Sequence, residues 1–206
     1  MTLRRAPGTP ARGISRRELL RNSLGAAIGL WVAELGAGTL GFLWPSGTLA
    51  LAKVKVGTIS DLVVANPGLP IRQGFPAYVP AARAFVVLVD PAAGGFRAGQ
   101  DPKGDGAELN VRALYQRCPH LGCRPNPCIE DFWFHCPCHQ SRYDRLGTKA
   151  LGVEYGPAQR GMDRFGVSVE SNGELTIDGT KLTLGPLPIA LGQPGIIPPK
   201  TANGCR

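Results

Sequence analysis

The fold of this chain is indicated by two stretches, Cys118-Pro-His-Leu-Gly-Cys123 and Cys136-Pro-Cys-His-Gln-Ser-Arg-Tyr143. Together they contain four of the six cysteines and two of the three histidines. They follow the patterns Cys-x-His-x-x-Cys and Cys-x-Cys-His, and a proline stiffens each of them. Two thiolates and two imidazoles on two such loops predict an iron or zinc site.

The kind of metal depends on the two cysteines that are left over. The four candidate ligands at matching spacing are Cys118, His120, Cys136 and His139. A zinc site would use all four and would leave Cys123 and Cys138 unexplained. Outside the cytoplasm, such a pair indicates a disulfide that joins the two loops. Thiolates on one side and imidazoles on the other suit a two-iron cluster with inequivalent irons, so both metals stay open at this point.

At these residues the sequence resembles the Rieske iron–sulfur family. The resemblance implies a [2Fe–2S] cluster in which one iron is held by Cys118 and Cys136 and the other by His120 and His139. It also implies that Cys123 pairs with Cys138. The implied fold is an all-β head, an antiparallel β-sandwich with a small cluster-binding subdomain, carried on one N-terminal transmembrane helix.

Several further residues match positions near the cluster in that family. Ser141 and Tyr143 stand where high-potential members carry hydroxyls, and the resemblance implies that these donate to a bridging sulfide and to a ligand cysteine. Leu121 matches a position that shields the cluster and touches the quinone pocket. Gly156 and Pro157 match the loop that covers the cluster.

Three positions differ from the family pattern or go beyond it. Gln140 replaces the glycine that usually follows the second histidine, and Gln159 replaces a proline of the covering loop. Cys128 lies between the two cysteine loops. In an oxidising compartment Cys128 and Cys205 are candidates for a second disulfide, which would pin the proline-rich tail to the cluster lobe.

The charge of the chain is concentrated at its N-terminus. The chain of 206 residues has a formal net charge of +8. Six arginines precede the first apolar run and only Glu18 opposes them; they are Arg4, Arg5, Arg12, Arg16, Arg17 and Arg21. This local excess indicates membrane topology, so we expect no nucleic-acid partner.

The apolar run that follows these arginines predicts a membrane anchor. Residues 24–44 are almost unbroken apolar sequence, about 31 Å long as a helix, which is enough to cross a bilayer. The arginines place the N-terminus in the cytoplasm and the head outside. Ser15-Arg-Arg-Glu-Leu-Leu20 resembles a twin-arginine export signal. Cleavage after Ala52 is the alternative to a retained anchor, which the length of the run favours.

The chain divides accordingly into five segments. They are a basic cytoplasmic segment (1–22), the anchor (23–44), a tether (45–52), the head (53–184, with the cluster-binding subdomain at about 115–160) and a proline-rich tail (185–206). High glycine and proline counts, 28 and 19, indicate a loop-rich β head. Ala84–Val89 and Val111–Tyr115 read as buried strands, and Asn172-Gly173 predicts a hairpin turn.

The resemblance implies the electron-transfer subunit of a cytochrome bc-type complex, a quinol:cytochrome c reductase. Its partners would be a cytochrome b subunit, membrane quinol and a c-type cytochrome acceptor, and His120 and His139 would meet the quinol. The alternative is the small Rieske subunit of an exported molybdenum oxidase, such as an arsenite oxidase. A zinc-stabilised binding module without redox activity is the rival from a different class.

Overall fold

The computed structural model describes residues 13–43, 53–101 and 105–190. The chain divides into two compact units, Met1–Leu49 and Ala50–Arg206. The predicted tether and most of the predicted tail lie outside the described residues.

The N-terminal unit contains one long helix, α1 (Arg16–Leu43). Ser15 caps it, because its Oγ accepts the backbone N–H of Glu18 while the Glu18 carboxylate accepts the N–H of Ser15. At 28 residues, α1 is long and apolar enough to cross a membrane. The predicted anchor, residues 23–44, therefore falls on this helix, except for residue 44, which lies outside the described residues.

The described residues of the head form ten strands, one short α-helix and five short 3-10 helices. The helix α2 (Ile59–Ala65) begins at a capping box formed by Thr58 and Asp61. The strands are β1 (Lys53–Gly57), β2 (Ala77–Val79), β3 (Ala84–Leu88), β4 (Gly99–Gln100), β5 (Val111–Tyr115), β6 (Asn126–Pro127), β7 (Phe134–His135), β8 (Arg142–Tyr143), β9 (Arg164–Val169) and β10 (Leu175–Thr183).

These strands form two antiparallel sheets. The large sheet has seven strands in the order β1-β10-β9-β5-β3-β2, with β4 paired to β9. Its strands β9 and β10 form the hairpin predicted at Asn172-Gly173, where Gly173 has the positive φ of 81°. The small sheet has the order β6-β7-β8. The predicted antiparallel β head with a small subdomain is thereby confirmed.

Strands β3 and β5 connect the two parts of the head, because both of their faces are buried. In β3, Ala84 and Val86 belong to the main core, while Phe85 and Val87 pack in a second core with Cys118 and Cys136. Alternation along a strand explains this division, since neighbouring side chains point to opposite faces. The second core thus contains two of the metal-ligand candidates and packs them against one face of β3.

The long connection between β3 and β5 lies at the surface over residues 91–101, as its composition predicts, and becomes buried only towards its end. Its Gly, Pro and Asp content predicts a surface excursion over Pro91–Asn110. Asn110, however, is buried, and its side-chain amide donates to the carbonyl oxygens of Asp90 and Gly95. These hydrogen bonds fasten the first residues of the connection to its last residue, just before β5.

Candidate metal centre

The first loop leaves the end of β5 and is closed by its own backbone. The N–H of Cys118 donates to the carbonyl of Cys123 at 2.7 Å, and the N–H of Gly122 donates to the carbonyl of Cys118 at 2.9 Å. Gly122 takes a φ of 84°, which favours glycine. Cys118 is buried and His120 is half-buried, so the loop presents the imidazole closer to the surface than the thiol.

The second loop joins β7 to β8 in a similar way. The N–H of Cys136 donates to the carbonyl of Ser141 at 2.8 Å, and the N–H of Gln140 donates to the carbonyl of Cys136 at 3.0 Å. Gln140 has a φ of 60°. This left-handed conformation explains why a glycine is usual at this position, and it costs a non-glycine residue about 1 kcal/mol. The loop keeps its shape with glutamine.

A disulfide between Cys123 and Cys138 joins the two loops. Its sulfurs are 2.03 Å apart and its Cα atoms 6.5 Å apart. The sulfur of Cys136 lies within 4.8 Å of both of these sulfurs. Because Cys123 and Cys138 are bonded to each other, they offer no thiolate to a metal.

The remaining donors form the set that a Rieske cluster needs. Cys118 and Cys136 are buried free thiols. The rings of His120 and His139 lie edge to face with their centroids 4.8 Å apart. Nδ1 of His120 is buried and has no hydrogen-bond partner among the described residues. A buried nitrogen without a partner, beside two free thiols, fits a metal ligand.

The thiols of Cys118 and Cys136 are buried, so a metal would have to stabilise their charged form. Burial raises the pKa of the Cys136 thiol, and the neighbouring sulfur of Cys118 raises it further. A bound iron favours the thiolate instead, because a cation deprotonates its thiol ligands. Binding of the metal would therefore offset the cost of burying thiolates at this site. The assignment of these four residues as ligands remains a prediction.

Two buried hydroxyls follow the second loop. The hydroxyl of Tyr143 lies 3.0 Å from the sulfur of Cys118. Burial raises the pKa of Tyr143, so its hydroxyl keeps its proton and acts as a donor to a thiolate. Oγ of Ser141 accepts the backbone N–H of Ala158 at 3.1 Å, which leaves its own proton available for another acceptor.

The covering loop packs directly on the second cysteine loop. A methyl group added at Gly156 would lie 2.5 Å from the backbone nitrogen of Ser141, and Gly156 has a φ of 79°. Only glycine therefore permits this approach. Pro157 is exposed, and Leu121 at the tip of the first loop has 71% of its surface exposed. Leu121 is thus a solvent-exposed apolar side chain that directly follows His120 in the first loop.

Sequence reasoning missed two buried charged residues in this lobe. Lys149 is 2% exposed, donates to the carbonyl of Ala150 at 3.0 Å and lies 5.7 Å from the centre of the Tyr155 ring. Asp144 is 3% exposed and accepts the N–H groups of Leu146 and Thr148. Neither residue has a sequence signal, because burial of a charge depends on distant segments.

Two other side chains near the site, His135 and Cys128, are not among the predicted ligands. His135, next to Cys136, is 7% exposed, and its Nε2 lies 3.8 Å from the carboxylate of Asp131. Its donor nitrogen, the Asp131 carboxylate and the Cys128 sulfur lie within 4.8 Å of one another, and a structural role for His135 remains a prediction. Cys128 is disulfide-bonded. Its predicted partner, Cys205, lies outside the described residues, so that pairing stays a prediction.

Fold and site together define a class: an antiparallel β head that holds two thiols and two imidazoles on disulfide-linked loops for a two-iron cluster. A family model, described as the Rieske [2Fe-2S] domain, matches residues 85–165. The ubiquinol-cytochrome c reductase iron-sulfur subunit of Rhodospirillum rubrum is 32% identical over 174 residues, which cover 73% of this chain and 84% of that protein. The chain belongs to the Rieske iron–sulfur family, and its cofactor is the [2Fe–2S] cluster.

Other relatives match over a smaller part of their length. The cytochrome b6-f complex iron-sulfur subunit 2 of a Nostoc species is 42% identical over 64 residues, which cover 31% of this chain and 34% of that protein. The carotenoid phi-ring synthase of Chlorobaculum tepidum is matched over only 9% of its length. The Rieske protein II from Sulfolobus acidocaldarius is a solved structure with 20% identity and a TM-score of 0.40, covering 65% of this chain and 80% of that chain.

Proposed function

We propose that this chain is the membrane-anchored electron-transfer subunit of a cytochrome bc-type complex. In this role it oxidises membrane quinol and passes the electron to a c-type cytochrome. The observation that carries the proposal is the hydroxyl of Tyr143, 3.0 Å from the sulfur of Cys118. A donor to a ligand sulfur stabilises the reduced cluster and raises its potential. Quinol oxidation needs such a high-potential acceptor.

The four predicted ligands would divide their work between holding the cluster and handling protons. When bound, the cluster accepts one electron. Cys118 and Cys136 would hold it from the buried side, and His120 and His139 from the surface side. Since Nδ1 of His120 is the buried ring nitrogen, its Nε2 is left to accept a hydrogen bond from a quinol hydroxyl. That nitrogen would then take up the proton as the quinol is oxidised.

The neighbouring residues would exclude water and orient the imidazoles. Leu121 offers an exposed apolar surface beside His120, suited to the ring of a quinone. Gly156 and Ala158 bring the covering loop against Ser141, and this contact keeps the second loop closed. The disulfide holds both imidazole-bearing loops in one arrangement.

The proposed location follows from α1. This helix would cross the membrane once, with the N-terminus in the cytoplasm and the head on the extracytoplasmic side. A retained anchor keeps the head near its quinol, whereas cleavage after Ala52 would release it. The partner in the membrane would be a cytochrome b subunit, as the names of the bc1 and b6-f relatives suggest.

The test is to purify the intact complex from membranes and to follow quinol-dependent reduction of its haems. Cytochrome b and c haems that co-purify and are reduced by quinol would support the proposal. A molybdenum enzyme that co-purifies in their place would refute it in favour of the small subunit of an exported oxidase. Zinc without acid-labile sulfide would indicate a binding module.

The second measurement is the pH dependence of the cluster potential. If the imidazoles lose protons together with electron removal, the potential falls as the pH rises between about pH 6 and 10. A potential that stays constant over this range would contradict proton uptake at His120 and His139.

A further inference from the structure

An apolar groove lies on the head, and its described lining includes neither the candidate ligands nor Leu121. Its volume is about 500 Å³, and its lining includes three aromatic side chains, Phe75, Tyr78 and Phe85. Pro127 of β6 and Ile129 from the turn that joins β6 to β7 also line it. Apolar grooves of this size mark places where a ligand or a partner segment can bind.

One of the residues that line this groove forms a disulfide bond. Cys128 lines it, is 3% exposed and is disulfide-bonded. Of the other five cysteines, two are free thiols and two form the disulfide between the loops. Within the chain, that leaves Cys205 as the partner of Cys128. The bond would bring the end of the chain to the groove.

The chain has enough length to arrive there. Ile189 is held beside the small sheet, where its N–H donates to the carbonyl of Lys149 and its carbonyl accepts the N–H of Leu151. From there, pairings through Ala150, β8 and β7 lead to β6, a path of about 20 Å at about 4.8 Å for each step. The sixteen residue steps from Ile189 to Cys205 can span up to about 53 Å.

The composition of that segment suits the groove. Ile196-Ile-Pro-Pro199 precedes Cys205 by six residues. Prolines favour the polyproline II conformation, and aromatic grooves bind such segments because little entropy is lost. Lys200 follows these prolines, and Glu130 lines the groove. Their opposite charges would favour one end of the groove for the lysine.

We propose that the C-terminal segment 191–206 docks in this groove, with Ile196–Pro199 against its aromatic side chains and a Cys128–Cys205 disulfide at its end. The docked segment braces the β6–β7 turn, and β7 leads directly into Cys136. It therefore stabilises the lobe that carries the predicted ligands. The groove is then occupied by the chain itself and is closed to other partners.

The test uses the full-length, cluster-loaded protein in detergent. Mass spectrometry of unreduced peptides is expected to find Cys128 linked to Cys205 within one chain. Hydrogen exchange is then compared between the wild type and the double variant Ile196→Ser, Ile197→Ser, which keeps the disulfide. In that variant, the backbone amides of the non-proline groove residues within 75–78 and 126–130 are expected to lose protection about tenfold.

Two controls separate docking from general damage. The variant Val153→Ser changes an apolar side chain that is 96% exposed and does not line the groove, so it should leave the protection unchanged. The visible and paramagnetic resonance spectra report whether the cluster is intact in each variant. A covalent dimer through Cys128 would overturn the proposal, and so would unchanged protection in the double variant. Neither outcome depends on quinol oxidation.

Discussion

The hydrogen bond from Tyr143 to Cys118 offers a quantitative test of the high-potential assignment. The substitution Tyr143→Phe removes one oxygen and keeps the ring, which is fully buried and packs in the core under the site. The remaining contacts of the ring therefore stay in place. The ligand sulfur of Cys118 loses its donor at 3.0 Å.

The size of the effect follows from the energy of such a bond. A hydrogen bond to a charged group is worth about 1.5–3 kcal/mol, and it is stronger when the sulfur carries more negative charge, as it does after reduction. If about 1–2 kcal/mol of this energy is specific to the reduced state, the potential falls by about 40–90 mV, since about 59 mV corresponds to about 1.4 kcal/mol for one electron.

The assay is a redox titration of the purified protein followed by paramagnetic resonance. Tyr115→Phe is the matched control, because Tyr115 packs against Phe165 of the main core with ring centroids 4.9 Å apart. A fall of less than about 15 mV in the Tyr143 variant with an intact cluster, or an equal fall in both variants, would refute the reasoning.

Three further substitutions test the frame around the site. Ser141→Ala should lower the potential and also destabilise the head by about 1–3 kcal/mol, because the N–H of Ala158 loses its acceptor; thermal melting would detect the second effect. Gly156→Ala should destabilise the head by about 2 kcal/mol or more and reduce the cluster content, because the new Cβ would clash with the backbone of Ser141. Gly173→Ala is the control: Gly173 has a φ of 81° but open space around it, so this variant should show the backbone strain without a clash. Burial raises the pKa of Asp144 to about 6 from 3.8, so this group favours the folded state below pH 3.8 and loses that contribution as the pH rises through about 6. Asp144→Asn should therefore remove up to about 3 kcal/mol of this pH dependence between about pH 4 and 7, and an unchanged slope of stability against pH would contradict it.

A metal site could be inferred from the sequence, because ligand chemistry is local, and the resemblance to the Rieske family then implied its cofactor and the class of the head. Two loops with cysteine and histidine two or three residues apart present their donors from one turn each, so their spacing carries information. The continuous apolar run of β3, the alternation of Phe165, Val167 and Val169 in β9 and the turn at Asn172-Gly173 are local signals as well. The long apolar run that became α1 is another.

The tertiary structure decided what depends on segments far apart in the chain. The 3.0 Å contact between Tyr143 and Cys118 spans 25 residues, and the burial of Lys149 and Asp144 depends on elements packed around them. The approach of Gly156 to Ser141 is likewise set by the fold of two separate loops. Spacing along the sequence thus identifies which residues can bind the metal. Packing decides which hydroxyls, charges and glycines surround it, because burial and distance are properties of the folded chain.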